Sequence, residues 1–213
     1  IPFCFIHQVT TNSSGFDFQV WQNGATTLSL RAAYCHIIEF ERRAVLDSTR
    51  TLIIAPPAQS ARVYEGAPNT DMGNSTLYVR TVEDPAAGAA KRDRSFLQFN
   101  LLGIPSGADI VSATLHLFQT AEADNTSAAN SVEVYRVASS WSTGLTWNTQ
   151  PGVVSTKMSS YVHPTGTTNV DIEFTLSTAE FAAMISSNYG MRLSLANEDT
   201  GSTNPERAQY AET

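Results

Sequence analysis

One tetrapeptide of the chain has the residues of a catalytic motif. Asp199-Thr200-Gly201-Ser202 matches the sequence around the catalytic carboxylate of aspartic proteases. That chemistry needs two carboxylates that share a proton, so the motif must occur twice or the chain must dimerise. Here the motif occurs once, and only 11 residues follow it. The tetrapeptide therefore predicts a polar turn before a final strand.

The histidines do not form a catalytic or metal-binding pattern. All four are scattered along the chain, and no two are three or four residues apart. His116 stands between two leucines in an alternating segment, which favours a surface or half-buried packing role. The sequence also lacks the motifs of serine hydrolases, zinc proteases and phosphate-binding loops. We therefore predict that the chain is not an enzyme, and we predict no metal and no cofactor.

A dense basic cluster, Lys91-Arg92-Asp93-Arg94, stands in the acidic part of the chain. Guanidinium groups bind carboxylate or sulfate in a bidentate manner. Lys91, Arg92 and Arg94 are therefore candidate ligands for an acidic glycan. The alternative is a solvated strand start that follows residues 85–90, which is the commoner role for such a cluster.

Aromatic residues offer a second candidate feature. A platform on which sugars stack could be formed by Trp141 and Trp147 together with Tyr135, Tyr161 and Tyr189. Aromatic side chains also fill the core of most β-sandwiches, where burial makes them more stabilising than exposure. For Trp147 the sequence favours the core role.

Composition limits the classes of function. The 213 residues are 42% hydrophobic and 15% charged, with a formal net charge of −7. The hydrophobic content is too high for a disordered chain, and no apolar run approaches the roughly 20 residues of a membrane span. A negative chain is also unsuited to general binding of a phosphate backbone, which needs a positive field. We therefore predict neither a nucleic-acid partner nor a membrane span.

Alternation of apolar and polar residues predicts the fold. The pattern recurs in short segments separated by Gly, Pro, Asn and Ser, and this spacing indicates an all-β antiparallel sandwich or jelly roll. The predicted strands include residues 16–21, 28–31, 34–40, 76–80, 95–99, 113–118, 132–137, 170–174 and 191–195. One short helix is predicted from Ser177, because Ser177 and Glu180 have the spacing of a capping box. It ends at residues 188–190.

Charge and cysteine content divide the chain. Residues 1–60 contain four basic and four acidic residues, so residues 61–213 carry the whole net charge. Cys4 and Cys35 both lie in the neutral part, where a disulfide and two buried thiols are equally compatible with the sequence. We predict an N-terminal β segment over residues 1–55, a Pro-rich linker over residues 56–60 and a sandwich over residues 61–213. The N-terminal segment is too short to close its own core.

The opening residues are predicted to form a strand that is apolar on both faces. Ile1, Phe3 and Phe5 point one way while Cys4 and Ile6 point the other. A strand of this kind is buried on both sides, as the central strand of its own unit or as a donor strand in a neighbouring subunit. The central-strand alternative is favoured, and the other makes Ile1, Phe3, Phe5 and Ile6 an inter-subunit contact. The first residue is not Met, which fits either a processed N-terminus or a partial chain.

From about Ala61 onward the chain resembles the DNRLRE-domain family of extracellular β-sandwiches, which is related to a carbohydrate-binding family found beside polysaccharide lyases. The resemblance rests on segments in matching order: residues 61–73, with Met72 where the family usually has Tyr, then 94–101, 104–108, 113–115, 141–142, 146–151, 188–190 and 210–212. It implies one complete sandwich over residues 61–213. The family includes glycan-binding, adhesive and structural modules, so the resemblance assigns no ligand residue.

Two functions are compatible with these observations. The first is a non-catalytic structural or adhesive subunit of an extracellular assembly, a surface filament or a virion appendage, whose partners are copies of itself or neighbouring subunits. The alternative is a module that binds an acidic polysaccharide. Both place the chain outside the cell, at a cell or virion surface.

Overall fold

The computed structural model describes residues 6–12, 15–20, 36–41, 49–73, 76–84, 89–105, 107–121, 131–162, 169–198 and 206–211. Contacts between residues divide the chain into two compact units, residues 1–30 and residues 31–213. Within the described ranges, no helix is long and apolar enough to cross a membrane.

The first unit contains a β-hairpin. Strand β1 (Ile6–Asn12) pairs antiparallel with strand β2 (Gly15–Val20), and Asn12 lies opposite Gly15 at the turn. Strand β2 matches the alternation seen in the sequence, and Ile6 opens β1 opposite Val20. The proposals for Ile1, Phe3, Phe5, Cys4 and Cys35 fall outside the described residues, as do the predicted strand at residues 28–31 and the predicted turn at residues 199–202.

The second unit is an antiparallel β-sandwich with one short helix, which confirms the predicted fold class. Its strands are β3 (His36–Glu41), β4 (Thr49–Ile54), β5 (Gln59–Tyr64), β6 (Thr76–Asp84), β7 (Ala89–Gln98), β8 (Asp109–Ala121), β9 (Val132–Val137), β10 (Val153–Tyr161), β11 (Val170–Thr175), β12 (Met191–Leu195) and β13 (Glu206–Ala211). The helix α1 spans Thr178–Ser186.

Strand β7 connects the two arms of the sheet. The strand order is β10-β9-β12-β7-β6-β13-β8-β3-β4, with β11 paired to β8 and β5 paired to β7. The first half of β7 pairs with β6, and its second half pairs with β5 and β12. Buried residues of both arms meet in one large core, which includes Leu77, Leu97, Leu115, Ile172 and Leu193.

A second, smaller core lies against β5 and β7. It consists of Ala61, Val63, Phe96, Val137 and Leu145, with Trp141, Trp147 and Tyr189 packed against it. The two cores follow from strand alternation, since neighbouring residues of β7 point to opposite faces. Leu97 therefore enters the large core and Phe96 enters the small one.

Helix α1 begins as predicted. The Ser177 hydroxyl accepts a hydrogen bond from the Glu180 amide at 3.4 Å, but the Glu180 carboxylate accepts from Arg136 Nε at 3.2 Å. Only the serine half of the capping box is therefore formed. Phe181 and Met184 are buried in the large core and hold the helix against the sandwich.

The segment before β5 belongs to the sandwich sheet from β3 onward. Strand β3 pairs with β8 over residues 36–41, and β4 pairs with β3. Strand β4 ends at Ile54, and a cis peptide joins Ala55 to Pro56 before β5 begins at Gln59. Strands β3 and β4 thus find pairing partners within the second unit. The domain boundary proposed at residues 56–60 stays a prediction.

Candidate functional site

The basic residues of β7 are divided between two sides of the strand. Arg92 and Arg94 lie on the side of Phe96 and the small core, where both contact Trp147. Alternation directs Lys91 and Asp93 to the other side. The structure therefore brings two of the three predicted ligand residues together and places Lys91 apart from them.

Trp147 lies over both arginines. Its ring centroid is 4.6 Å from Arg94 Cζ and 5.0 Å from Arg92 Cζ. A guanidinium at this distance is attracted by the negative face of the ring. Trp147 is half-buried and packs against the small core without entering it, so it differs from the core residue that the sequence favoured.

Hydrogen bonds fix the turn that carries Trp147. Residues Trp147–Thr149 form one turn of 3₁₀ helix, closed by Thr146 and Thr149, whose hydroxyl oxygens are 3.0 Å apart. The Asn148 amide donates to the Pro68 carbonyl at 3.0 Å, and Asn148 Nδ2 donates to Asn69 Oδ1 at 2.8 Å. Two loops therefore hold the indole in place.

Each of these arginines is bound by a carboxylate. Arg92 Nε and Nη2 donate to Glu65 at 2.9 and 2.5 Å, and Arg94 Nε and Nη2 donate to Glu198 at 2.8 and 2.5 Å. Gln150 Oε1 accepts from Arg94 Nη1 at 2.9 Å. The hydrogen bond from Arg92 holds the pKa of Glu65 below its usual value, although burial acts in the opposite direction.

A second cluster of charged and polar side chains lies on β9 and β10. Lys157 Nζ and the Tyr135 hydroxyl donate to the two oxygens of Glu133, at 2.7 and 2.5 Å. Burial raises the pKa of Glu133, but these two hydrogen bonds outweigh it and the pKa lies below its usual value. The hydrogen bond to Glu133 and burial raise the pKa of Tyr135 to about 12. Tyr135 therefore remains protonated at neutral pH.

Arg192 lies between these two groups. Its Cζ is 5.5 Å from the centroid of the Tyr135 ring, and its Nη2 is 3.4 Å from Ser194 Oγ. Its Nε is buried and has no hydrogen-bond partner among the described residues. Burial, followed by the neighbouring charge of Arg94, lowers the pKa of Arg192 to about 10. The guanidinium is still charged at neutral pH.

We call this surface the arginine face. It comprises Trp147 and Tyr135, the cations Arg92, Arg94, Arg192 and Lys157, and the carboxylates Glu65, Glu133 and Glu198. Because β12 alternates, the neighbours of Arg192, which are Met191 and Leu193, enter the large core behind it. The arrangement presents an aromatic ring and guanidinium groups on a rigid sheet, a combination suited to a ligand with ring faces and acidic groups.

The other side of β7 carries a buried ion cluster. The carboxylate of Asp93 is completely buried and accepts from both Arg62 and Arg80. The ring centroid of Tyr78 is 4.2 Å from Arg62 Cζ and 4.9 Å from Arg80 Cζ. One carboxylate neutralises only one of the two cations, and the burial of Asp93 assigns the cluster a structural role.

The remaining predicted aromatics serve the cores. The Trp141 ring is 5.7 Å from Phe96 and donates from Nε1 to the Tyr189 carbonyl at 2.7 Å, while Tyr161 packs on Phe174 at 5.6 Å. Of the five predicted platform residues, Trp147 and Tyr135 lie on the arginine face. His116 is half-buried, as predicted.

Sequence reasoning missed five charged residues of the face, namely Glu65, Glu133, Lys157, Arg192 and Glu198. Arg192 and Glu133 had a usable signal, since each is a charged residue between two apolar residues of a predicted strand. Across the described part of the chain, no group of three or more His, Cys, Asp or Glu side chains is arranged to hold a metal ion.

Comparison with known proteins adds one assignment. No curated protein matches the chain. The model of carbohydrate-binding module family 96 matches residues 54–210, which include β5 to β12, α1 and most of β13. That match spans well over half of the chain, and the chain therefore belongs to carbohydrate-binding module family 96.

Proposed function

We propose that the chain is a non-catalytic module that binds an acidic polysaccharide on the arginine face. The observation that carries the proposal is the position of Trp147, which is half-buried against the guanidinium groups of Arg92 and Arg94. Membership of a carbohydrate-binding family supports a sugar as the ligand. An extracellular location, the absence of enzymatic activity and the finer assignment to DNRLRE domains belong to this proposal.

The face offers both kinds of contact that such a ligand needs. An aromatic ring packs against the apolar face of a sugar and limits its orientation, and a few placed polar groups then give specificity. The site is also preorganised, since two loops and two carboxylates hold Trp147, Arg92 and Arg94 before any ligand arrives. Binding then costs little ordering of side chains.

Of the predicted ligands, Arg92 and Arg94 remain part of the proposal with a narrower role. Glu65 occupies Nε and Nη2 of Arg92, and Nη1 lies 3.9 Å from Glu198 but makes no hydrogen bond within the described residues. A glycan would therefore bind the remaining N–H groups of two guanidiniums whose positions are already held by carboxylates. Lys91 contributes only if the ligand reaches around the edge of β7, as it lies on the opposite side of the strand.

Electrophoresis in gels that contain polysaccharide tests this function. The chain should be retarded in gels containing alginate or polygalacturonate and should run normally in gels containing neutral dextran. The variant Trp147→Ala should lose the retardation, while the core variant Trp141→Phe should keep it. Normal migration of the wild type in every polysaccharide would refute the proposal.

A second candidate function is a structural or adhesive subunit of a surface filament or virion appendage. The supporting observation is the edge of the sheet: among the described strands β4 pairs only with β3, and 47% of Ile53 on β4 is exposed. An edge strand of this kind can accept a strand from another chain. The apolar segment Ile1, Phe3, Phe5 and Ile6 is the proposed donor.

Native mass spectrometry of the whole chain tests the second candidate. A ladder of oligomers that disappears when residues 1–10 are deleted would support it, and electron microscopy of the native material would show the polymer directly. A monomer at every concentration, with and without the first ten residues, would exclude it. Polysaccharide binding is measured separately, so the two functions are distinguishable.

A further inference from the structure

The charges of the arginine face do not balance. Each of the three carboxylates has one cation in closest contact, Arg92 for Glu65, Arg94 for Glu198 and Lys157 for Glu133, and Glu198 also lies 3.9 Å from Arg92 Nη1. Arg192 is the fourth cation, and no carboxylate of the described residues forms an ion pair with it. The face therefore has one positive charge in excess, located at Arg192, in a chain whose formal net charge is −7.

The residues around Arg192 pack against its guanidinium but do not supply acceptors for all of its N–H groups. Tyr135 lies 5.5 Å from Cζ, the Ser194 hydroxyl is a distant acceptor at 3.4 Å, and Nε is buried with no acceptor among the described residues. Buried donors are nearly always paired in native proteins, so an orphaned one calls for an explanation. The charges of Glu198 and Glu133 act on Arg192, but neither forms an ion pair with it. Because Nε is buried, an anion would bind the Nη groups of this guanidinium, which packing already holds in place.

The sheet register places Arg192 centrally in the face. Tyr135 lies opposite both Lys157 and Arg192, so the three residues form one row across β10, β9 and β12. Neighbouring strands are about 4.8 Å apart, which puts Lys157 and Arg192 about 10 Å apart with an aromatic ring between them. A chain lying across the strands would pass Trp147, Arg192 and Tyr135 in turn.

We propose that Arg192 is the subsite that recognises the acidic group of the polysaccharide, a carboxylate or a sulfate. This inference rests on the proposed function, since it names the residue that selects charged over neutral sugars at the same face. Arg92 and Arg94 are then positioning residues, already neutralised by their carboxylates, and the anion of the ligand neutralises Arg192.

Matched pairs of polymers test the subsite and separate the two anions. Polygalacturonate is compared with its methyl ester, and dextran sulfate with dextran, by isothermal titration calorimetry of the whole chain. The variants are Arg192→Gln, Arg192→Lys and the control Arg136→Gln, because Arg136 pairs with Glu180 of the helix instead. We expect at least a tenfold loss of affinity for the acidic polymer in Arg192→Gln and a smaller loss in Arg192→Lys. Arg136→Gln should bind as the wild type does.

A measurement on the wild type keeps the inference testable if Arg192→Gln fails to fold. The Nε–H resonance of Arg192 should shift on titration with sodium glucuronate or sodium sulfate and stay in place with methyl glucoside.

Equal wild-type affinity for acidic and esterified polymer, with no effect of Arg192→Gln, would overturn the inference and leave polysaccharide binding intact. Binding to no polymer would refute the proposed function. The Nε–H titration would then decide alone, and an unmoved resonance would overturn the anion subsite.

Discussion

The indole of Trp147 lies over the guanidinium of Arg94, with 4.6 Å between the ring centroid and Arg94 Cζ. Glu198 and Gln150 bind the same guanidinium, so Arg94 cannot move without breaking three contacts. Trp147 also packs on the small core. The surface that we assign to the ligand is therefore a continuation of the packing of the sandwich, which explains how a loop residue can be rigid enough to serve as a binding platform.

Replacing Trp147 by alanine should weaken binding more than it weakens the fold. We expect at least a tenfold loss of affinity for the acidic polysaccharide, which corresponds to about 1.4 kcal/mol. The free energy of unfolding should fall by about 1–3 kcal/mol, since two cation–π contacts and part of the small core are lost. Titration calorimetry and urea denaturation measure the two effects.

Trp141→Phe is the matched control for that experiment. It keeps the ring contact with Phe96 and removes the hydrogen bond to the Tyr189 carbonyl, which should cost about 1 kcal/mol of stability. Its affinity should equal that of the wild type. If Trp147→Ala bound as tightly as Trp141→Phe, the platform would have to lie elsewhere.

Replacing Asp93 by asparagine should destabilise the sandwich strongly. The carboxylate is fully buried between Arg62 and Arg80, so the substitution leaves two cations close together without a counter-charge. Removing one partner of a buried ion pair typically costs about 3–5 kcal/mol. The free energy of unfolding should fall by that amount in urea denaturation monitored by circular dichroism.

The comparison is Glu65→Gln, which breaks a more exposed pair. The side chains of Arg92 and Glu65 are 34% and 22% exposed, and exposed ion pairs are worth about 0–1 kcal/mol. The two variants should therefore differ severalfold in their effect on stability. Equal effects would mean that solvent reaches Asp93 and that the cluster is not a structural anchor.

The strands that were predicted correctly from the sequence are those with one buried face and one solvent-exposed face. Strands β8, β9 and β12 alternate clearly, because their apolar residues enter the large core and polar residues lie between them. Strand β10 was missed: Ser155, Thr156 and Lys157 are three consecutive exposed residues, and only Met158 is fully buried. Strand β4 was missed for the same reason, since at the edge of the sheet Thr49–Thr51 are all exposed.

The candidate site was predictable only in part. Arg92 and Arg94 were predicted as ligand residues because only Asp93 separates them in the chain. Their partners do not share that proximity, since Glu198 is 104 residues from Arg94 and Glu65 is 27 residues from Arg92. Only the pairing of β7 with β5 and β12 brings them together. Spacing along the chain can identify a cluster of basic residues. It cannot show that distant carboxylates form ion pairs with them.

Three glycine-to-alanine variants should form a graded series of stability. At Gly144 an added Cβ meets nothing within 4 Å, and the change should be within about 0.5 kcal/mol. At Gly107 the space is also open, but φ is +79°, a conformation that costs an L-residue about 1–2 kcal/mol. At Gly190 φ is +80° and the Cβ would lie 2.2 Å from the Leu97 carbonyl oxygen. Backbone strain and overpacking together should cost about 2–5 kcal/mol there.

Thermal denaturation of the three variants checks the order of that series. The Gly190 turn also contacts the end of β9, since the Val137 amide donates to the Gly190 carbonyl at 3.0 Å, and Asn188 Oδ1 accepts from the Gly190 amide at 3.2 Å within the turn. A Gly190→Ala variant as stable as Gly107→Ala would show that β7 and the turn can separate without cost.

The ion pair between Glu65 and Arg92 should make stability depend on pH in the acid range. The hydrogen bond from Arg92 lowers the pKa of Glu65 in the folded chain, whereas in the unfolded chain it returns to about the ordinary 4.5. The stabilisation is therefore fully present above about pH 4.5 and is lost as the pH falls through the folded value. Urea denaturation from pH 7 to pH 2.5 should show the difference between wild type and Glu65→Gln shrinking toward zero as the pH falls. A difference that stays constant or grows in acid would mean that the carboxylate does not titrate with folding, and that Arg92 is held by other contacts.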